Sequence, residues 1–172
     1  NNSSTCYNLV EEISRKYELD CTLIGSGMFY DESDVDIVIQ QSAATLEEAY
    51  DIVQKKTGWV ITRKVSGDNI VSIKGSFNGS NIDAQVWRGQ CHTVSEKKTH
   101  QALELSHLLK SATTDHTQRD VVLLHRWADR LKVKSHTLCM LPGIAVTCIA
   151  ILTSRNTPCD DDNTRLKYML AQ

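Results

Sequence analysis

Residues 21–40 read CTLIGSGMFYDESDVDIVIQ. Two apolar runs flank a Gly25-Ser26 turn and an acidic cluster. CTLIG reads as a short buried strand ending at Gly25, and DVDIVI as a second strand. Residues two apart in a strand share a face, so Asp34 and Asp36 point together while Val35, Ile37 and Val38 serve packing. Two carboxylates on one side of a rigid strand suit a hard divalent cation such as Mg²⁺. The Gly25-Ser26 turn leaves a strand and enters a helix. Such a turn presents backbone N–H groups and a hydroxyl, which is how a chain cradles phosphates. Seven residues separate Ser26 from Asp34, enough to fold the cradle back over the metal. Acidic residues are tolerated at this strand mouth because metal and phosphate would neutralise them.

Working outward, TCYNLVEEISRKYEL sets Leu9, Val10, Ile13 and Tyr17 on one helical face, with Ser4 or Thr5 as its cap. TLEEAYDIVQKK opens with a capping box, Thr45 to Glu48, and Gly58 closes the helix. WVITRKV, IVSIKGSF and IDAQVW are strand-like. The turns SGDN and NGSN between them predict an antiparallel meander. Asp83 interrupts the apolar alternation of the last of these runs. If that strand lies beside DVDIVI, Asp83 completes a three-carboxylate cluster. Such a cluster can hold two metals for in-line phosphoryl transfer. After Trp87 the character changes. KTHQALELSHLLK, RDVVLLHRWADRLKV and PGIAVTCIAILTS read as helices, Pro142 in a first turn. A boundary near Arg88–Thr93 therefore divides an α/β part, 1–90, from a helical part, 91–172.

Composition bounds the rest. The chain has 172 residues, 41% of them apolar, and a formal net charge of −2, so bulk charge does not announce a nucleic-acid binder. Its cations are clustered, at Lys55, Lys56, Arg63 and Lys64 and again at Arg126, Arg130, Lys132 and Lys134. The first group reads as a solvated face. The six cysteines form no C-x-x-C pair, and Cys21 and Cys148 read as core residues, which suits an intracellular, reducing compartment. Cys91-His92 has no second pair at zinc spacing. The triplets at Asn1, Asn2 and Asn78 are weak glycosylation signals. MLPGIAVTCIAIL is too short for a bilayer and reads as a buried helix, so no membrane association is expected. The first residue is Asn1 rather than Met, which reads as a trimmed start. DESDVD lacks the spacing of a calcium-binding EF-hand loop. Trp127 reads as core. Trp87 suits either packing or a cleft wall.

LIGSGMFYDESDVDIVI with NIDAQVW resembles the nucleotidyltransferase fold of the DNA polymerase beta superfamily. RDVVLLHRWADRLKVKSHTLCMLPGIAVTCIAIL is similar to the central helices of poly(A) polymerases, terminal uridylyltransferases and archaeal-type CCA-adding enzymes. The resemblance implies an α+β fold, a mixed sheet with flanking helices followed by a helical region. It implies that Asp34, Asp36 and Asp83 bind Mg²⁺, with Mn²⁺ as a substitute. Gly25 and Ser26 would bind the triphosphate. His125 stands where the family usually has a Lys reaching the triphosphate, Lys134 near a nucleotide-contacting Tyr, and His100 near another nucleotide-side position. Implied partners are a ribonucleoside triphosphate and an RNA 3′ end, with a further domain or partner protein to complete the cleft. The implied activity is template-independent addition of ribonucleotides to RNA. Two alternatives stay open. One is a 2′–5′ or cyclic oligonucleotide synthase on the same fold; the other is a catalytically silent RNA- or partner-binding relative.

Overall fold

The computed structural model of the chain describes residues 5–31, 34–134, 143–154 and 161–171. The described elements run α1 (Thr5–Tyr17), β1 (Asp20–Ile24), a 3-10 turn (Gly25–Met28), β2 (Val35–Gln40), α2 (Leu46–Thr57), β3 (Val60–Arg63), β4 (Ile70–Phe77), β5 (Ser80–Trp87), α3 (Val94–Ser111), α4 (Asp115–Lys134), α5 (Gly143–Ser154) and α6 (Asp162–Leu170). They fall into two compact units, Asn1–His107 and Leu108–Gln172.

The first unit is built on a five-stranded sheet of order β1-β2-β5-β4-β3. β2 runs parallel to β5, and the other three pairings are antiparallel. The expected meander is present. Its tight turn is Asn78-Gly79, with φ of 49° and 82°, the paired positive angles of the hairpin turn whose twist matches the strands. The parallel step is made by β2 and β5, in the interior of the sheet. Leu23, Ile37, Ala84, Val86 and Ile73 are buried beneath α1 and α2. From α1, Cys6, Leu9, Val10 and Ile13 are buried, while Tyr17 is half-buried and edge-on to Trp59 and Phe77. Thr5 is the first helical residue; Ser4 lies outside the described residues. The Thr45 cap of α2 forms as read, Glu48 N–H donating to Thr45 Oγ1 at 3.1 Å, while the Glu48 carboxylate accepts from Ala44 N–H, one residue before the cap, at 3.1 Å. Gly58 ends the helix at φ 74°. Gly75 is required by packing, since a Cβ there would run into the Trp59 indole.

The opposite face of the sheet carries α3. The first unit, through His107, takes in the greater part of α3. Arg88 reaches both carboxylate oxygens of buried Glu96, at 2.9 and 2.8 Å, and donates to the Ala44 carbonyl at 2.7 Å. Glu96 consequently titrates down at about 2, held chiefly by the Arg88 hydrogen bonds. Thr99 donates to Gln85 Oε1 at 2.9 Å, and His100 stacks on Trp87 with centroids 5.1 Å apart. Ala102, Leu103 and Cys91 pack against Ile24, Val38 and Trp87.

In the second unit α4, α5 and α6 are joined through Asp120. Its carboxylate, fully buried, accepts from Arg165 of α6 and Ser154 of α5. Asp161 caps α6 by accepting from Thr164 N–H at 2.9 Å. The helix read as buried, α5, has a buried side and an exposed one. Val146, Ala150 and Ile151 are inside, but Ile149 is 37% and Leu152 67% exposed. Pro142 lies outside the described residues. Among the described residues no helix is long and apolar enough to cross a membrane.

Candidate active site

The register of the central strands places the candidate carboxylates. Asp36 of β2 sits directly beside Asp83 of β5, one place along from Val35 beside Ile82. Ile24, the last residue of β1, is the partner of Asp36 on its other side. The chain then turns at Gly25, whose φ of 71° is open to glycine at little cost. A Cβ on Gly25 would stand 3.1 Å from Asp36 Oδ2. The glycine turn and the β2 carboxylate therefore abut, as the sequence pattern requires.

The turn itself is a 3-10 coil in which Phe29 and Tyr30 donate their N–H groups to the Ser26 carbonyl, at 3.0 and 2.8 Å. The Gly25 N–H, expected to face a phosphate, is instead donated to Ser106 Oγ of α3 at 3.1 Å. Ser106 is buried, so α3 fixes the height of the turn above the sheet. Nothing in the strand pattern around Gly25 signalled Ser106; the contact joins residues 81 apart in sequence.

Electrostatics single out the same pair. Burial, then the Asp83 and Asp34 charges, push the Asp36 carboxyl up to about 6, and the Lys74 ammonium pulls it back. Asp83 Oδ1 is buried with no hydrogen-bond partner. An orphaned buried oxygen is costly and calls for a partner. Asp34 differs from the expectation. It precedes β2 and is exposed, so no strand ladder fixes it. Among the described residues no three of His, Cys, Asp and Glu stand close enough as they are to hold one ion. The sheet thus joins Asp36 and Asp83, and Asp34 adds its charge from the mouth of the strand.

The remaining expected residues lie elsewhere. His100 is stacked on Trp87 and pairs with Glu104 at 3.2 Å. Trp87 is 8% exposed and therefore packing. His125, in the helical unit, is 4% exposed and its Nε2 lies 2.9 Å from Thr147 Oγ1 of α5. The ring is thus buried between α4 and α5. Lys134 ends α4, but its side chain lies outside the described residues. Trp127 is half-buried. Cys21 is half-buried, with burial pushing its thiol up to about 11.

No protein-family model and no curated protein sequence matches the chain. Solved structures do. E. coli MS115-1 CdnC with ATP matches at 15% identity over 96% of this chain and 62% of that one, TM-score 0.54. The CdnC:HORMA-deltaN complex from the same source matches at 15% over 96% and 61%, TM-score 0.56. A cytoplasmic RNA terminal U-transferase matches at 17% over 84% and 42%, with a TM-score of 0.47 too low to add weight. The chain spans about three-fifths of the CdnC chains. At these identities the likeness establishes the fold alone: the mixed five-stranded sheet with flanking helices is shared with the CdnC structures.

Proposed function

We propose that this chain carries the catalytic part of a nucleotidyltransferase that moves a nucleotide from a ribonucleoside triphosphate to the 3′ hydroxyl of an RNA. The observation that carries the reading is the Asp36–Asp83 register pair, with Gly25 against Asp36 Oδ2 and Asp83 Oδ1 left without a partner. Asp36 and Asp83, with Asp34 beside them, would hold Mg²⁺ or Mn²⁺; hard oxygen donors, crowded like charge and an orphaned oxygen all fit such an ion. Bound there, the ion supplies charge neutralisation on the reacting phosphate and a lowered pKa for the attacking hydroxyl. The chain's own residues do the rest. The Gly25-Ser26 turn positions the triphosphate close to backbone, which only glycine allows at that approach. Asp83, beside Asp36 in the ladder, helps deprotonate the attacking hydroxyl. Buried β2 and β5 hold both carboxylates rigidly, which makes transfer effectively intramolecular.

A second reading, synthesis of small 2′–5′ or cyclic oligonucleotides, draws support from the likeness to CdnC, which was solved with ATP. It uses the same carboxylates. Extension of a labelled RNA primer with each of the four ribonucleotides, in Mg²⁺ and then Mn²⁺, separates the two. A lengthened primer supports RNA tailing. A small product formed without primer replaces it with the second reading, and bound nucleotide without any product supports a silent relative.

A further inference from the structure

The face of the sheet that carries the carboxylates continues beyond them. Lys74 of β4 is the direct partner of Asp83 across the antiparallel ladder, so its side chain rises from the same face. Val60 of β3 is in turn the partner of Lys74. Two places along, Ser76 faces Asn81. The residues met across the sheet are therefore Ile24 with its Gly25 turn, Asp36, Asp83, Lys74 and Val60. Helix α3 covers the end of this face near Trp87 and, through Ser106, the Gly25 turn. By contrast Lys74, Ser76 and Asn81 are exposed, as is Val60, at 66%. Among the described residues the Lys74 ammonium makes no hydrogen bond or ion pair, although Asp83 is its ladder partner.

In-line displacement needs the leaving pyrophosphate and the attacking hydroxyl on opposite sides of the reacting phosphorus. With the triphosphate on Gly25-Ser26, the donor enters from the β1 side of the carboxylates. The acceptor then comes from the β4 side. We infer that Lys74 is an acceptor-binding residue, holding a backbone phosphate of a single-stranded RNA whose 3′ end lies at Asp83, with Val60 beneath the neighbouring nucleoside. This rests on the function proposed above, since it takes the triphosphate to lie on the Gly25 turn. A lysine suits that role, because its compact charge on a flexible stem can follow a phosphate that shifts as the strand advances. Ser76 and Asn81 continue the polar strip away from the carboxylates.

The test is binding of a short fluorescent single-stranded RNA, with Mg²⁺ and no nucleotide, followed by anisotropy over a range of salt. Lys74→Gln keeps the stem and removes the charge at an exposed site. Lys55→Gln, at an exposed lysine of α2, controls for general loss of charge. Lys74→Gln is expected to weaken RNA binding several-fold and to reduce the log–log salt slope by about 0.7, one phosphate's worth on a single strand. Its affinity for nucleoside triphosphate is expected to match the parent's. Equal RNA affinity and slope in parent and Lys74→Gln overturns the inference, as does an equal loss in Lys55→Gln. Absence of RNA binding by the parent overturns it too. Lys74-dependent RNA binding with no transfer from any ribonucleotide upholds the RNA site and overturns the proposed activity instead.

Discussion

Asp83 is held by two ladders at once, Asp36 on one side and Lys74 on the other, yet one of its carboxylate oxygens is buried without a partner. Substitution by Asn keeps the shape and removes the charge. In Asp83→Asn, nucleotide affinity is expected to stay near the parent's while turnover falls at least about a hundredfold, since the lost interaction is made chiefly in the transition state. Paired nucleotide titration and single-turnover rates check this; an Asn variant as active as the parent would remove Asp83 from the site. Asp36 makes a separate prediction in the metal-free protein. Its folded value, about 6, lies above the ordinary 3.8. A raised value stabilises the fold fully below the unfolded pKa, and that stability is lost as pH rises through about 6. Metal-free protein is therefore expected to lose roughly 2 kcal/mol between about pH 4 and pH 7 from this group. Asp36→Asn should flatten that part of the profile and be the more stable protein at neutral pH. Denaturant midpoints at pH 5 and pH 7.5, with chelator, are the measurement.

Among the elements, α3 and α4 show how polar side chains dock helices in ways that helix patterning does not advertise. The buried positions of α3 include Glu96, Thr99 and Ser106, each bonded to the sheet or to the turn leaving it. An amphipathic pattern records apolar faces, so a helix docked by hydrogen bonds gives a weak signal. In α4 the same is true of Asp120, which meets Arg165 and Ser154 in the interior of the helical unit. Removing one member of such a pair leaves the other charge buried and unpaired. Asp120→Ala is expected to cost about 3–5 kcal/mol, against little for an exposed substitution such as Asp115→Ala. Chemical denaturation followed by circular dichroism of the helices reads it. A loss below about 1 kcal/mol would mean that Arg165 finds water or another partner.

On the scale of the whole molecule, ligand and fold are coupled through the sheet. An ion and triphosphate that bind only where β1, β2 and β5 meet stabilise the folded chain by mass action, by about 2.7 kcal/mol at a hundred times the dissociation constant. For a chain of this size that corresponds to a rise in melting temperature of roughly 5–10 °C with Mg²⁺ and nucleotide together. Asp36→Ala is expected to abolish the rise and Asp83→Asn to retain most of it. Equal shifts in Asp36→Ala and the parent would move the nucleotide away from β2.

Much of this was legible along the chain, because it depends on neighbours in sequence. The Thr45 cap of α2, the Asn78-Gly79 hairpin, the β3–β5 meander and the glycine turn before an acidic strand are each written within a few residues. Local hydrogen bonds and steric limits on φ act at that range. Other features waited on the tertiary structure. Strand alternation could put Asp83 on a face, but only the parallel register of β2 and β5 sets it beside Asp36. Whether His125 reaches a phosphate or a threonine on the next helix depends on how α4 rotates against α5. Ser106, buried over Gly25, and Lys74, opposite Asp83, are ordinary residues in sequence that acquire meaning from what the sheet places next to them. Pairing between distant segments is chosen by the burial of the whole apolar set at once, so no window of sequence contains it.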